Sequence, residues 1–260
     1  MKATLIKTAL THKNKILFPK SGITKQQMFH YYKNIANEIL PYLKDRPLTM
    51  QRFPEGIDED GFFQKHTPDY FPDWISTAKV KKVDGWINHV VCNSKDTLLY
   101  LVNQYTLTFH VALSKVEKID YPDKLIFDLD PPKGNFQLAV KAAKALRHLL
   151  EERLHLKAYV MTSGSESLHI VVPLKADQHF DMVHDFAKQI ANYICKNNPT
   201  EFTTAIRKDK RNGRLYIDSL RNSYAQTSVV PFSIRAKENA PVATPLHWDE
   251  LDDTALNAQY

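Results

Sequence analysis

Two aspartates stand two positions apart at the end of an apolar run, in Leu125-Ile126-Phe127-Asp128-Leu129-Asp130-Pro131. On a strand, Asp128 and Asp130 project from one face because successive side chains alternate. Carboxylates held this close repel unless a cation lies between them, and hard divalent ions prefer such oxygen ligands. Asp218, after the apolar run Leu215–Ile217, supplies a third carboxylate. The pattern predicts a metal site on Asp128, Asp130 and Asp218, although an isolated Asp-x-Asp can also simply cap a turn.

Such a trio suits in-line displacement at phosphorus, in which one ion activates the attacking oxygen and another stabilises the leaving group. Polymerases and nucleases share this chemistry, so the carboxylates alone do not separate the two. Groups that could handle phosphate lie nearby in the sequence: Ser163 in a Ser-Gly-Ser turn, His169, Arg221 and Arg235. A short turn can present backbone N–H groups to an anion. Taken singly, His169 is equally typical of a core residue, and each arginine of a surface ion pair.

Strands and helices must position these side chains. A capping box of Thr24 and Gln27 begins a helix that runs to about Ile39, and Pro41 ends it or begins its last turn. Further helices are predicted at Phe136–Arg153 and Asp177–Cys195. Strands are predicted at Leu48–Phe53, Gly61–Lys65, Thr97–Val102, Tyr105–Ala112, Lys124–Asp130, Ala158–Thr162, Leu168–Pro173, Arg214–Leu220 and Thr227–Pro231. The irregular alternation predicts an α+β fold, with an N-terminal lobe to about residue 115 and a catalytic lobe over about 116–260.

Composition narrows the class of protein. The chain has 260 residues, 43% of them apolar, and Lys plus Arg exceed Asp plus Glu by 35 to 29. This basic balance favours polyanionic partners. No apolar stretch approaches the ~20 residues needed to cross a bilayer, and Met1–Leu10 is too poor in apolar residues for a signal peptide. We expect a cytoplasmic protein without a membrane partner.

The motifs together resemble a known family. Phe127–Pro131, Thr162-Ser163-Gly164 with Leu168-His169, and Asp218 with Arg221-Asn222 occur in one order, alongside Leu17-Phe18-Pro19, Arg46-Pro47-Leu48-Thr49, Phe62–His66 and Pro231–Arg235. From about residue 11 onward the chain resembles the polymerase domain of bacterial ATP-dependent DNA ligase D, of the archaeo-eukaryotic primase superfamily. The resemblance implies a single primase-polymerase domain over 1–260, with a primase-type, RRM-like catalytic palm and an N-terminal α/β lobe packed against it.

Carried over position by position, the family pattern assigns four groups of residues. It makes Asp128, Asp130 and Asp218 the ligands of two Mn²⁺ or Mg²⁺ ions. Ser163, His169, Arg221, Arg235 and His110 would bind the triphosphate of the nucleotide. His12, Lys15 and Lys25 would bind the 5′-phosphate of a downstream DNA strand, and Phe62 and Phe63 would stack on DNA bases. Without the resemblance, His110 is equally a half-exposed strand residue, the basic trio a solvated face and the phenylalanines ordinary core.

The family resemblance implies addition of nucleotides, preferentially ribonucleotides, to DNA 3′ ends during bacterial non-homologous end joining. Gap fill-in and untemplated addition are both implied, on DNA with gaps or double-strand breaks near the nucleoid. The end-binding protein Ku and a separate DNA ligase are the implied partners. A primase that starts strands de novo, a catalytically weak DNA-end-binding module and a nuclease are the alternatives.

One loop departs from the family pattern, which usually continues Ser-Gly-(Gly/Ser)-Lys-Gly-Leu-His. Here Glu166 takes the place of the lysine and Ser167 that of the following glycine. Glu166 reverses a local charge, and Ser167 could alter a backbone angle that glycine adopts most easily. Catalytic rate, template engagement and nucleotide preference are the properties this change would affect.

Overall fold

A computed structural model describes residues 8–259, so most of the segment Met1–Leu10 lies outside the described part. Within it, the chain forms two compact units. The first contains residues up to Ala112 together with Val229–Pro241, and the second contains Leu113–Ser228 and the residues from Val242 onward. In residues 8–259, no helix is long and apolar enough to cross a membrane.

The first unit combines helices with short antiparallel sheets. Its elements are β1 (Ile16–Phe18), β2 (Ile23–Thr24), α1 (Lys25–Asn34), α2 (Ala36–Leu43), β3 (Leu48–Arg52), β4 (Phe62–Gln64), β5 (Thr77–Lys82), β6 (Gly85–Val90), α3 (Lys95–Asn103) and β7 (Thr106–Ala112). Strand β3 lies between β7 and β4, whereas β1 pairs with β2 and β5 with β6.

The predicted first helix is divided into α1 and α2. Thr24 caps α1 as expected: its side chain accepts a hydrogen bond from the Gln27 N–H, and the Gln27 side chain accepts one from the Thr24 N–H. The helix is interrupted at Ile35, which separates α1 from α2, and Pro41 lies inside α2 near its C-terminal end. Proline has no N–H to donate to the carbonyl four residues earlier, so α2 lacks that one hydrogen bond at Pro41.

The prediction of a strand at Thr97–Val102 is wrong, because this segment is helix α3. Ser94 caps the helix by accepting a hydrogen bond from the Thr97 N–H at 3.1 Å. Leu98, Leu99, Leu101 and Val102 are all buried. A helix buried on most sides carries a continuous apolar run, which periodicity does not distinguish from a buried strand. Ser94 and the following Asp96 were the available helix-start signals.

The segment Val229–Pro241 is held in the first unit by hydrogen bonds that centre on a buried tyrosine. Tyr32 is fully buried, its hydroxyl donates to the Leu107 carbonyl at 2.5 Å, and it accepts from the Ile234 N–H at 2.9 Å. The Ser233 hydroxyl accepts from the Phe109 N–H at 2.8 Å. These bonds join Val229–Pro241 to α1 and β7 of the same unit.

The second unit is built on one larger sheet. Its elements are β8 (Lys124–Asp130), α4 (Phe136–Arg147) followed by a π-helical segment (His148–Arg153), β9 (Tyr159–Thr162), β10 (Leu168–Pro173), α5 (Phe180–Asn197), β11 (Phe202–Thr203), β12 (Leu215–Asp218) and, after β13 (Thr227–Val229) where the chain passes between units, β14 (Pro245–Leu246). Short 3₁₀ segments lie at Val116–Lys118, Lys208–Lys210, Leu220–Asn222 and Trp248–Asp252. The strand order is β11-β12-β8-β10-β9-β14, antiparallel except for the β11–β12 pair.

Alternation along β8 separates the core from the opposite face of the sheet. Phe127 and Leu129 are fully buried in a cluster with residues of α4 and α5, such as Ala143 and Ile190. Each fully buried large apolar side chain contributes about 2 kcal/mol to folding. Asp128 and Asp130 consequently point away from the helices. This mixed arrangement of helices and antiparallel sheet confirms the predicted α+β class.

Candidate active site

The three predicted metal ligands lie on neighbouring strands of the second unit. Asp218 of β12 is directly opposite Asp128 of β8 in the antiparallel register, and Tyr216 is opposite Asp130. Directly opposed residues of antiparallel strands have Cβ atoms about 5 Å apart. All three carboxylates therefore share one face of the sheet.

Basic side chains hold these carboxylates in different ways. Asp128 is 4% exposed; its Oδ2 lies 3.3 Å from Arg221 Nη2, and its Oδ1 lies 3.4 Å from His169 Nε2. The Asp218 Oδ1 accepts hydrogen bonds from the Leu220 N–H at 2.7 Å and from the Tyr216 hydroxyl at 3.2 Å. Asp128 thus has the closest basic side chains, whereas Asp218 is held mainly by neutral donors.

The pKa values follow from these surroundings. Burial raises the pKa of Asp128, but the charge of His169, followed by that of Arg221, outweighs it and holds this pKa well below its ordinary value. Burial and then the charge of Asp128 raise the pKa of Asp130 to about 7. Burial also raises the pKa of Asp218, with a further contribution from Asp128. Two of the three carboxylates are therefore disfavoured as anions in the protein alone.

Whether these residues fit divalent cations can be judged from their donor set. The trio offers only carboxylate oxygens, and the mutual repulsion that raises the pKa of Asp130 is the kind that a bound dication relieves. As the side chains stand, however, no three carboxylate, imidazole or thiol groups in residues 8–259 are arranged to enclose an ion. The donor chemistry fits, and the carboxylates would have to turn from their present partners to converge.

Ser163 organises the turn between β9 and β10. Its hydroxyl accepts hydrogen bonds from the N–H groups of Ser165 and Ser167, at 3.2 and 3.1 Å, and its own N–H donates to the Ser167 carbonyl. Within this turn of the described chain, Gly164 has a positive φ of 66° and Ser167 does not. Serine at 167 therefore requires no left-handed backbone, whereas Glu166 remains an exposed charge reversal.

His169 lies opposite Asp128 on β10, so it faces the same side of the sheet as the carboxylates. Its Nδ1 is 3.5 Å from the Ser228 hydroxyl. The structure thus brings His169, Arg221 and the three aspartates together in one unit. Ser163 begins the turn that leads into the His169 strand.

Other predicted site residues belong to the first unit. His110 on β7 is 9% exposed and makes an edge contact with the Phe63 ring, with centroids 5.6 Å apart. Arg235 is half-buried, and its N–H donates to the Pro241 carbonyl at 2.7 Å. Phe62 and Phe63 are 45% and 61% exposed, which leaves both rings available for stacking, and the Arg52 guanidinium lies 5.4 Å from the Phe62 centroid.

The three predicted 5′-phosphate residues are neighbours in the first unit. The Lys15 N–H donates to the His12 carbonyl at 3.0 Å, and the Lys25 N–H donates to the Lys15 carbonyl at 2.8 Å. Lys15 forms an ion pair with Glu55 at 2.6 Å. Lys25 is fully buried, its Nζ donates to Thr11 Oγ1 at 3.2 Å, and among residues 8–259 it forms no ion pair with a carboxylate. Burial and then the charge of Lys15 lower the pKa of Lys25 to about 8.

Two site residues escaped the sequence analysis. Arg211 Nη1 lies 4.0 Å from Asp130 Oδ2, and its guanidinium lies 4.1 Å from the centroid of the Tyr216 ring. Tyr216 precedes Asp218 by two positions on a strand, so their shared face was predictable from alternation. Arg211 comes from the loop before β12, and nothing in its spacing placed it beside Asp130.

An α+β unit whose adjacent strands carry three carboxylates beside histidine and arginine side chains suits metal-dependent phosphoryl transfer, the chemistry of nucleotidyltransferases. Comparison with known proteins gives the family. The family described as "LigD, primase-polymerase domain" matches residues 24–260. The chain belongs to this family of polymerases.

Relatives of full length carry the same domain within longer chains. The bifunctional non-homologous end joining protein LigD of Bacillus subtilis is 34% identical over 98% of this chain and 41% of its own length. The multifunctional protein of the same name from Mycolicibacterium smegmatis is 31% identical over 95% of this chain and 33% of its own length. The chain thus spans less than half the length of these relatives.

A solved structure agrees with the fold. The polymerase domain from Mycobacterium tuberculosis ligase D, in complex with DNA, superposes with a TM-score of 0.91 at 30% sequence identity. The match covers 97% of this chain and 91% of that one.

Proposed function

We propose that this chain adds nucleotides, preferentially ribonucleotides, to DNA 3′ ends in non-homologous end joining, by gap fill-in and untemplated addition. The observation that carries the proposal is the shared face of Asp128, Asp130 and Asp218, with Arg221 and His169 against Asp128, in a member of the LigD primase-polymerase family. The domain organisation proposed is a single primase-polymerase domain of N-terminal and catalytic lobes.

Asp128, Asp130 and Asp218 would hold two Mn²⁺ or Mg²⁺ ions. Such ions, when bound, lower the pKa of the attacking 3′-hydroxyl and stabilise the charge that develops on the triphosphate. The strands fix where the carboxylates begin, so the protein supplies the position of the reacting groups as well as their charge. No side chain is needed as a general base.

Arg221 and His169 would pass from one anionic partner to another. In the structure Arg221 lies 3.3 Å from Asp128 and 3.9 Å from Asp218, so it partly neutralises the carboxylates. The planar guanidinium of Arg221 would be suited to the phosphate oxygens of a bound nucleotide. His169 and the Ser163 turn are proposed to bind the triphosphate of the nucleotide. His110 and Arg235, which belong to the first unit, are the further residues to which the family pattern assigns triphosphate binding.

DNA recognition is proposed for the first unit. Lys25 carries a buried positive charge that no carboxylate of the described residues neutralises, which suits an incoming phosphate. Lys15 and His12 would bind the same 5′-phosphate, and Phe62 and Phe63 would stack on bases at the break. The relatives' names and the DNA-bound neighbour support end joining as the setting. Ku and a separate ligase are proposed partners, in the bacterial cytoplasm.

The test is primer extension on a gapped duplex with a 5′-phosphate, in Mn²⁺, with ribo- or deoxyribonucleotides. Asp128→Ala is compared with the wild type, and Asp209→Ala, at an exposed aspartate paired with Arg207, is the matched control. Extension that favours ribonucleotides, persists in the control and disappears in Asp128→Ala is expected.

The same assay separates the alternatives. Synthesis without a primer would indicate a primase, and shortening of the primer would indicate a nuclease. If the wild type does not extend the primer yet binds the 5′-phosphorylated gap, the chain is an end-binding module. Glu166, exposed beside the Ser163 turn, is the residue that would account for that outcome.

A further inference from the structure

Both lysines of the proposed 5′-phosphate site face one aromatic ring. The Lys25 Nζ lies 3.9 Å from the centroid of the Tyr105 ring, and the Lys15 Nζ lies 5.5 Å from it. Ammonium groups within ~6 Å of an aromatic centroid are attracted by the negative face of the ring. Tyr105 is therefore a common contact for two like charges that would otherwise repel.

The backbone holds Tyr105 in an uncommon conformation. Its φ is 64°, in the left-handed region that a bulky side chain rarely adopts. Its N–H donates to the Val102 carbonyl at 2.9 Å, and its carbonyl accepts from the Phe53 N–H at 3.0 Å. Both backbone groups are thus fixed by neighbouring segments, so the strained residue has a defined place from which its ring meets the lysines.

Polar neighbours fix Lys25 from the other direction. Its ammonium donates to Thr11 Oγ1, and the Thr11 hydroxyl donates to Asn103 Oδ1 at 3.2 Å. Asn103 ends α3, two residues before Tyr105. The same turn after α3 therefore sets both the ring and the amide that position Lys25.

We propose that Tyr105 is a positioning residue for recognition of the DNA 5′-phosphate, whose ring holds the ammonium groups of Lys15 and Lys25 together. This inference rests on the proposed role of the two lysines. A ring contact stabilises a desolvated ammonium without supplying the negative charge of a carboxylate, so it leaves the positive charge of Lys25 for a phosphate to neutralise. Glu55, by contrast, neutralises Lys15 from outside through its ion pair.

The measurement is the affinity of the full chain for two gapped duplexes that differ only in a 5′-phosphate or a 5′-hydroxyl. The ratio of the dissociation constant for the 5′-hydroxyl duplex to that for the 5′-phosphate duplex isolates the contribution of the phosphate to binding. We expect Tyr105→Leu to lower this ratio about tenfold, equivalent to about 1.4 kcal/mol, with affinity for the 5′-hydroxyl duplex unchanged. Tyr105→Phe keeps the ring and should keep the ratio.

The outcomes distinguish the inference from the function beneath it. If Lys25→Ala leaves the ratio unchanged, the proposed phosphate site is itself wrong. If Lys25→Ala lowers the ratio and Tyr105→Leu does not, only the role of Tyr105 is overturned. Equal weakening on both duplexes by Tyr105→Leu would show a structural role, and loss of the ratio in Tyr105→Phe would assign the effect to the hydroxyl rather than the ring.

Discussion

Replacing Asp130 by asparagine should stabilise the metal-free protein while abolishing nucleotide addition. Asp128 and Asp130 are alternate residues of one strand, so their carboxylates are about 7 Å apart, and two such charges repel by about 2 kcal/mol at an effective dielectric constant of ~20. Arg211 lies 4.0 Å from Asp130, and the Asp130 side chain is 40% exposed, so solvent and the guanidinium offset part of this repulsion. We expect a net gain of about 1 kcal/mol in the free energy of unfolding.

The gain should depend on pH in a defined direction. An acid whose pKa is raised in the folded state does not change the free energy of unfolding while it is protonated in both the folded and the unfolded state. The cost begins above the unfolded value of about 4 and is complete once the pH passes the folded value of about 7. The stabilisation by Asp130→Asn is therefore absent near pH 4 and full at pH 8.

Thermal unfolding at pH 8 with a chelator measures the effect, and a gain of about 1 kcal/mol raises Tm by about 2–4 °C for a chain of this size. Asp209→Asn, at an exposed surface pair, is the matched control and should leave Tm unchanged. Adding Mn²⁺ should raise the Tm of the wild type more than that of Asp130→Asn. An ion that binds only the folded state stabilises that state, and the variant lacks one of the carboxylates that would hold the ion. A variant that is less stable than the wild type without metal, or that responds to Mn²⁺ equally, would refute the reasoning.

Three other outcomes follow from the same contacts. Asp128→Asn should lower the free energy of unfolding by about 1 kcal/mol in urea titrations, because the loss of the carboxylate that Arg221 and His169 contact outweighs the relief of its repulsion with Asp130; a stabilised variant would contradict the ion-pair assignment. Glu166→Lys should lower the KM for nucleotide about 2- to 5-fold at unchanged Tm, since one exposed charge reversal is worth about 0.5–1 kcal/mol, and a raised KM would oppose it. Discrimination between 5′-phosphate and 5′-hydroxyl DNA should weaken as pH rises through about 8, where Lys25 loses its proton among Lys15, Glu55 and the Tyr105 ring; Lys25→Arg, which stays charged, should remove that dependence.

Much of the carboxylate arrangement could be predicted because it depends on local rules. Strands β8 and β10 have the predicted bounds, and alternation alone places Asp128 and Asp130 on one face. The capping box at Thr24 is equally local, since it needs only residues three positions apart. Asp218 was predicted as the third carboxylate because it follows an apolar strand, and the register places it opposite Asp128.

Features that depend on long-range packing were not predictable in the same way. Helix α3 has an apolar run that also suits a strand, and its burial on most sides removes the periodicity that would separate the two. The hairpin of β5 and β6 was missed although its signals are local, since Ala78 and Val80 alternate with exposed residues and Asp84-Gly85 marks the turn. Arg211 and Tyr105 owe their positions to loops whose course the sequence pattern does not determine.

The three aspartates share a face of the sheet but not an electrostatic state, and this difference bears on how the site would work. Arg221 and His169 keep Asp128 ionised in the protein alone, whereas burial and the Asp128 charge disfavour the ionised forms of Asp130 and Asp218. A site with one stable anion and two disfavoured ones has an affinity for cations that rises as those two lose their protons. Asp130 and Asp218 are thus the carboxylates whose unfavourable ionisation bound cations would relieve most. The stabilisation expected for Asp130→Asn and the Mn²⁺ response expected for the wild type should therefore have the same electrostatic origin.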